Sequence, residues 1–166
     1  MACLEPSGFR GYLAAVSTVL QPPEIGLVET DRHGQIIMSP VPAPSHGSKQ
    51  SEMAYLLRSQ MKSGKVVTEC PISTTEGVKG ADVAWCSDEV WQDLEGASCF
   101  IRCPELAIEI ILPANTRREI EEEKALSLAT GAREVWICGL DGIVHFWVGE
   151  GEEAASKLFL EFPSRI

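Results

Sequence analysis

Glu109 is the residue of this chain that packing explains least well. It stands inside Leu106-Ala107-Ile108-Glu109-Ile110-Ile111-Leu112, where every other residue is apolar. A continuous apolar run rich in β-branched residues reads as a strand buried on both faces. An ionised carboxylate in such a strand is costly unless it is paired, metal-bound or set at the mouth of a cleft. A second acid, Asp82, stands near the start of the apolar stretch Ala81-Asp82-Val83-Ala84-Trp85-Cys86. If the two strands are neighbours, both carboxylates point into one cleft. There they would hold a hard divalent cation that polarises a phosphate and activates a water, and a nearby Lys or Arg would suit the site to phosphodiester hydrolysis. The competing reading is structural: an edge position leaves Glu109 in water or in a salt bridge, and Asp82 is an ordinary acid at a strand start.

The elements that must carry these acids follow from spacing. Ile25 to Pro40 reads as a hairpin, with Ile25, Leu27 and Val28 leading to the polar turn Thr30-Asp31-Arg32-His33-Gly34 and Gln35 to Ser39 returning; Glu29 lies just before the turn. A proline-rich loop, Pro40 to Gly47, precedes Ser48 to Lys62, where Met53, Leu56, Leu57 and Met61 recur at helical spacing before Gly64. Val66 to Ile72 reads as a strand, followed by a polar loop through Glu76, Gly77 and Gly80 and the strand Ala81 to Cys86. Ser87 to Arg102 reads as a helical turn and a surface loop. After the strand holding Glu109, Asn115 or Thr116 caps a helix from Arg117 to Thr130, stopped by Gly131. Glu134 to Cys138 and Ile143 to Val148 are strands joined by Asp141-Gly142, and an acidic tail, Glu150 to Glu153, leads to a last amphipathic or extended piece near Phe162-Pro163. Residues 1–20 carry few signals. The succession strand, helix, strand around Arg117 to Thr130 is a right-handed crossover, so part of the sheet is parallel and the fold class is mixed α/β.

Composition sets the outer limits. The 166 residues, 45% of them hydrophobic, suit one domain spanning the chain. No apolar run approaches the roughly 20 residues that cross a bilayer, and the N-terminus lacks a basic segment followed by an apolar one, so a cytoplasmic protein without membrane partners is expected. The formal charge of −10 argues against non-specific nucleic-acid binding over the whole surface and leaves room for a local basic patch. The six cysteines contain no C-x-x-C pair and read as reduced and structural; Cys99 and Cys103 could share a helix face, but no His lies near them in sequence to complete a zinc site.

Taken in order, Glu29 with Gly34-Gln35-Ile36-Ile37-Met38-Ser39-Pro40, then His46, Ala81-Asp82-Val83-Ala84-Trp85, Pro104-Glu105-Leu106-Ala107-Ile108-Glu109-Ile110, Asn115-Thr116 and Gly131-Ala132-Arg133-Glu134-Val135-Trp136-Ile137-Cys138 resemble the Uma-type restriction-endonuclease family of the PD-(D/E)XK nuclease superfamily. The resemblance covers about Ile25 to Val148. It implies a restriction-endonuclease-like fold, a mixed central β-sheet flanked by helices, with a Mg²⁺- or Mn²⁺-dependent endonuclease site, DNA as substrate and a homodimer. By position it makes Asp82 and Glu109 the metal-binding acids, with Glu29 beside them on the N-terminal element. The motif position after them, Ile111, is not Lys, and the family supplies the cation from the following helix. Counting back from Gly131 without a gap, that Lys falls on Glu123 and the next basic residue on Lys124. Neighbouring helix positions are about 100° apart, so Lys124 serves as the cation only if the helix shifts or its side chain bends back. Three readings follow: a nuclease using Asp82, Glu109, Lys124 and Glu29, a catalytically decayed copy acting as a structural or binding module, or an enzyme on another small anionic substrate using the same metal site. His46 matches a family His that either orders the loop or acts in the site.

Overall fold

The structure, a computed structural model, describes residues 28–38, 42–94, 97–149 and 151–166. The elements are β1 (Val28–Thr30), β2 (Ile36–Met38), α1 (Pro44–Gln60), β3 (Lys65–Thr74), β4 (Gly77–Cys86), α2 (Asp88–Asp93), β5 (Leu106–Ile111), α3 (Arg117–Thr130), β6 (Glu134–Gly139), β7 (Val144–Val148) and β8 (Gly151–Glu153). β1 and β2 form a hairpin of their own, and the other strands make one sheet in the order β3-β4-β5-β6-β7-β8. β5 and β6 are parallel, joined through α3, and every other neighbouring pair is antiparallel. The apolar run that carries Glu109 is therefore an interior strand. Capping defines α3: the Thr116 side chain accepts from Glu119 N, the Glu119 carboxylate accepts from Thr116 N, and Gly131 ends the helix at φ 123°.

Both faces of the sheet are covered. On one face α1 contributes Met53 and Leu57, and the C-terminal segment contributes Phe159 and Phe162, against Val83, Leu106, Ile108 and Trp136. Glu134, 1% exposed, fastens that segment: its carboxylate accepts from Ser156 Oγ at 2.8 Å, Lys157 N at 2.7 Å, Leu158 N at 2.8 Å and Trp136 Nε1 at 2.8 Å. On the other face Ile120 and Leu128 of α3 and Val90 of α2 pack on Cys70, Ala84, Ala107, Val135 and Ile137. Burial raises the thiols of Cys86 and Cys138 to about 11 and that of Cys103 to about 12, so these cysteines stay protonated as small apolar groups.

Most boundaries fall within a residue or two of expectation, and the larger differences have physical reasons. The first helix begins at Pro44 rather than Ser48, because proline is compatible with a first helical turn whose N–H groups lack partners. β4 begins at Gly77, so the expected loop through Gly80 is strand, and Gly77 serves a close approach described below. The acidic tail includes β8, paired with β7. Cys99 and Cys103 lie in a loop outside any helix. The hairpin start at Ile25 to Leu27 and its end at Ser39-Pro40 fall outside the described residues.

Candidate active site

The site begins where two strands separate. The β4–β5 ladder contains Trp85↔Leu106, Ala84↔Ala107 and Val83↔Ile108, and stops. One rung further, Asp82 would oppose Glu109. Backbone donors released at such a fork need other partners. Ile110 N donates to Asp82 Oδ2 at 2.7 Å, Gly80 N donates to Glu29 Oε1 at 2.9 Å, and Val78 N donates to Thr30 Oγ1 at 2.8 Å. The β1–β2 hairpin thus fills with side chains the place that β5 vacates. A Cβ on Gly77 would lie 2.3 Å from Thr30 O, which is why a glycine stands where β1 crosses β4.

Asp82 also marks a slip in side-chain alternation. In β3, Val67 and Cys70 both pack toward α3, and in β4 so do Ala81 and Ala84, although strict alternation separates residues three apart. Between them lie Asp82 and Glu69, the latter in the left-handed region at φ 52°. α1 secures this point: Gln50 Nε2 donates to Glu69 Oε1 at 2.6 Å and to Asp82 O at 2.7 Å. His46 Nε2 lies 3.1 Å from Asp82 Oδ2 and donates to it when the carboxylate is ionised. Asp82 Oδ2 is thereby occupied twice, leaving Oδ1 for a ligand. His46 itself is buried, and its Nδ1 has no hydrogen-bond partner among the described residues.

Glu109 points to the opposite face, where its carboxyl group is enclosed. Burial first, then the charges of Asp82, Glu123 and Glu29, raise its pKa well above the ordinary carboxylate range, and the Asp82 backbone N–H works against them. Asp82 is raised by burial and by Glu69, against the Ile110 N–H and His46. Glu123 is exposed as a residue, yet its carboxyl end shares the cleft; desolvation of that end, then Glu29, Asp82 and Glu119, raise it, while Lys79 lowers it. The cleft between β4, β5 and α3 encloses about 690 Å³ and is lined by six glutamates and one lysine, Lys79. Among the described residues no three His, Cys, Asp or Glu side chains are grouped to hold a metal unaided.

The cleft therefore holds Glu109, Glu29 and Glu123, and Asp82 lies near enough for its charge to raise Glu109 and Glu123. The fold does not bring Lys124 to them. Lys124 is buried on the sheet, with Nζ 3.3 Å from the centre of the Trp147 ring and 2.5 Å from Glu121 Oε2. Ile111, partly buried, packs toward α3. Sequence reasoning missed Gln50, Glu69 and Lys79. Lys79 was within reach of it: once Gly77 to Gly80 is recognised as strand, Lys79 and Ala81 share a face.

The family model of Uma2, described as a putative restriction endonuclease, matches residues 22–152. The chain belongs to the Uma2 family. Among solved structures, it is similar to a putative nuclease belonging to DUF820 from Anabaena variabilis, with a TM-score of 0.66, 20% identity, and coverage of 82% of this chain and 80% of that one. That likeness shows a shared α/β fold, the restriction-endonuclease-like class expected from the sequence. No curated protein matches the chain. Uma2 membership makes a nuclease-like hydrolase the coarse class of its function, and no helix among the described residues is long and apolar enough to cross a membrane.

Proposed function

We propose that this Uma2 protein is a divalent-metal-dependent endonuclease of the PD-(D/E)XK type acting on DNA, with Asp82 and Glu109 as the metal-binding acids and Glu29 beside them. The fork carries the proposal: two adjacent strand positions hold carboxylates whose proton affinity is raised, that of Asp82 by burial and Glu69 and that of Glu109 by burial and the charges of Asp82, Glu123 and Glu29. Such a pair suits Mg²⁺ or Mn²⁺, which commonly bind through one or two carboxylates and complete their shell with waters and substrate phosphate. A cation there supplies Lewis-acid activation of phosphate and water. The chain's own residues do the positioning. Ile110 N–H and His46 hold Asp82 by Oδ2 and leave Oδ1 unclaimed, Gln50 holds the strand behind it, and Gly80 N–H and Lys79 orient Glu29. A homodimer related by a two-fold axis would present one such site to each strand of a duplex; a monomer at micromolar concentration in sedimentation would remove that part of the proposal.

Glu123 favours the second reading, a decayed nuclease acting as a binding module, since it adds negative charge where a phosphate must sit. Plasmid cleavage with Mn²⁺ tests the choice. Nicking by the wild type that is lost in Asp82→Asn and in Glu109→Gln supports the nuclease, and wild-type protein that binds metal but never cleaves supports the decayed module.

A further inference from the structure

We propose that Lys79 is the residue that meets the phosphate in this cleft, in place of a lysine from the helix. The inference rests on the metal-site reading above and adds a contact to it. An anionic substrate entering the cleft finds six glutamates there and one ammonium group. None of the three basic residues of the helix meets the cleft: Lys124 is buried over Trp147, Arg118 is exposed and paired with Glu122 at 3.5 Å, and neither Arg118 nor Arg117 lines it. Lys79 stands on β4 on the same face as Ala81, so it reaches the cleft from the sheet, the side on which Glu109 lies.

Its contact with Glu29 leaves it available. The Lys79 Nζ to Glu29 Oε2 distance is 3.4 Å, long for a charge-assisted bond, and the other Glu29 oxygen is already held by Gly80 N at 2.9 Å. The Lys79 side chain is 31% exposed, and an ammonium carries three donors, so one can stay with Glu29 while another turns to a ligand. Glu29 then acts as a positioning residue that keeps the ammonium at the fork, next to the oxygens that would take the metal. The arrangement answers the charge that Glu123 introduces, because the compensating cation comes from the opposite wall.

The test measures Ca²⁺ affinity by calorimetry and binding of a fluorescent single-stranded oligonucleotide in Ca²⁺, a cation that supports binding with little turnover, for wild type, Lys79→Ala, Lys79→Arg and Asp82→Asn/Glu109→Gln. Lys79→Ala should bind Ca²⁺ at least as well as wild type, since a positive charge leaves the acids, yet bind the oligonucleotide at least tenfold more weakly. Lys79→Arg should retain most of that affinity, which a purely structural role for Lys79 would not require. If wild type cleaves, Lys79→Ala should lower kcat by about 100- to 1000-fold, as for loss of one well-placed stabilising group. Metal binding at Asp82 and Glu109 with unchanged oligonucleotide binding in Lys79→Ala overturns this inference and leaves the metal site standing. Wild type that binds no cation overturns both.

Discussion

Lys124→Ala separates a structural lysine from a catalytic one. The side chain is 9% exposed and its ammonium lies 3.3 Å from the Trp147 ring centre, so truncation removes three buried methylenes and a cation–π contact. The methylenes contribute about 0.8 kcal/mol each and a largely buried cation–π contact about 1 kcal/mol, while release of the side chain's rotamers returns about 1.5 kcal/mol. The ion pair with half-exposed Glu121 adds little. The net loss is about 2 kcal/mol, which for a domain of this size lowers Tm by about 4–8 °C. Lys124→Met keeps the packing of the stem and should lose about 1 kcal/mol or less. Thermal unfolding of both variants, followed by Trp fluorescence, reads these shifts, and titration with Mn²⁺ should give the wild-type affinity in each. Unchanged Tm in Lys124→Ala together with abolished DNA cleavage would refute this placement and return Lys124 to the site.

Glu123→Lys removes one of the charges that raise Glu109 and adds a cation to the cleft, so Mn²⁺-dependent plasmid cleavage should rise, by about tenfold or more; an equal or lower rate in a cleavage assay counts against the assignment of Glu123 to the substrate path. The carboxyl groups of Glu109, Asp82 and Glu123 bind protons more tightly folded than unfolded, so their contribution to stability is present below the ordinary carboxylate range and is lost as pH rises through the higher folded values. Metal-free protein should therefore melt higher at about pH 5 than at about pH 7.5, with the difference reduced in Glu109→Gln and by added Mg²⁺; calorimetric scans across that range check the sign. Glu134→Ala leaves four donors of the C-terminal segment and Trp136 without their acceptor and should cost about 3–5 kcal/mol, read as a large fall in urea midpoint. Ser156→Ala should cost about a third of that.

Glu109 could be found in the sequence because one charge in an apolar strand is poorly explained by packing, and α3 because Thr116 and Gly131 mark its ends chemically. The fork could not be read in the same way. It arises because the β4–β5 ladder stops after Val83↔Ile108, and hydrophobic pattern does not record where hydrogen bonds end. Gly77 to Gly80 resembles a loop in composition, yet the small residue is demanded by β1 lying against it. Gln50, Glu69 and Asp82 meet only through tertiary packing of α1, and the left-handed Glu69 has no local sequence signal. Lys124 and Glu134 are buried by Trp147 and by Ser156 to Leu158, partners more than twenty residues away in the chain, so no local pattern marks either charged residue as buried.

Mn²⁺ binding followed by electron paramagnetic resonance tests the central claim most directly. Wild type should take up Mn²⁺ with hyperfine broadening on addition of the ion, Mg²⁺ should displace it, and Asp82→Asn and Glu109→Gln should each weaken binding at least tenfold while keeping the fold, because each removes one of the two hard oxygen donors. Equal Mn²⁺ affinity in wild type and in both variants would place the cation elsewhere and contradict the account.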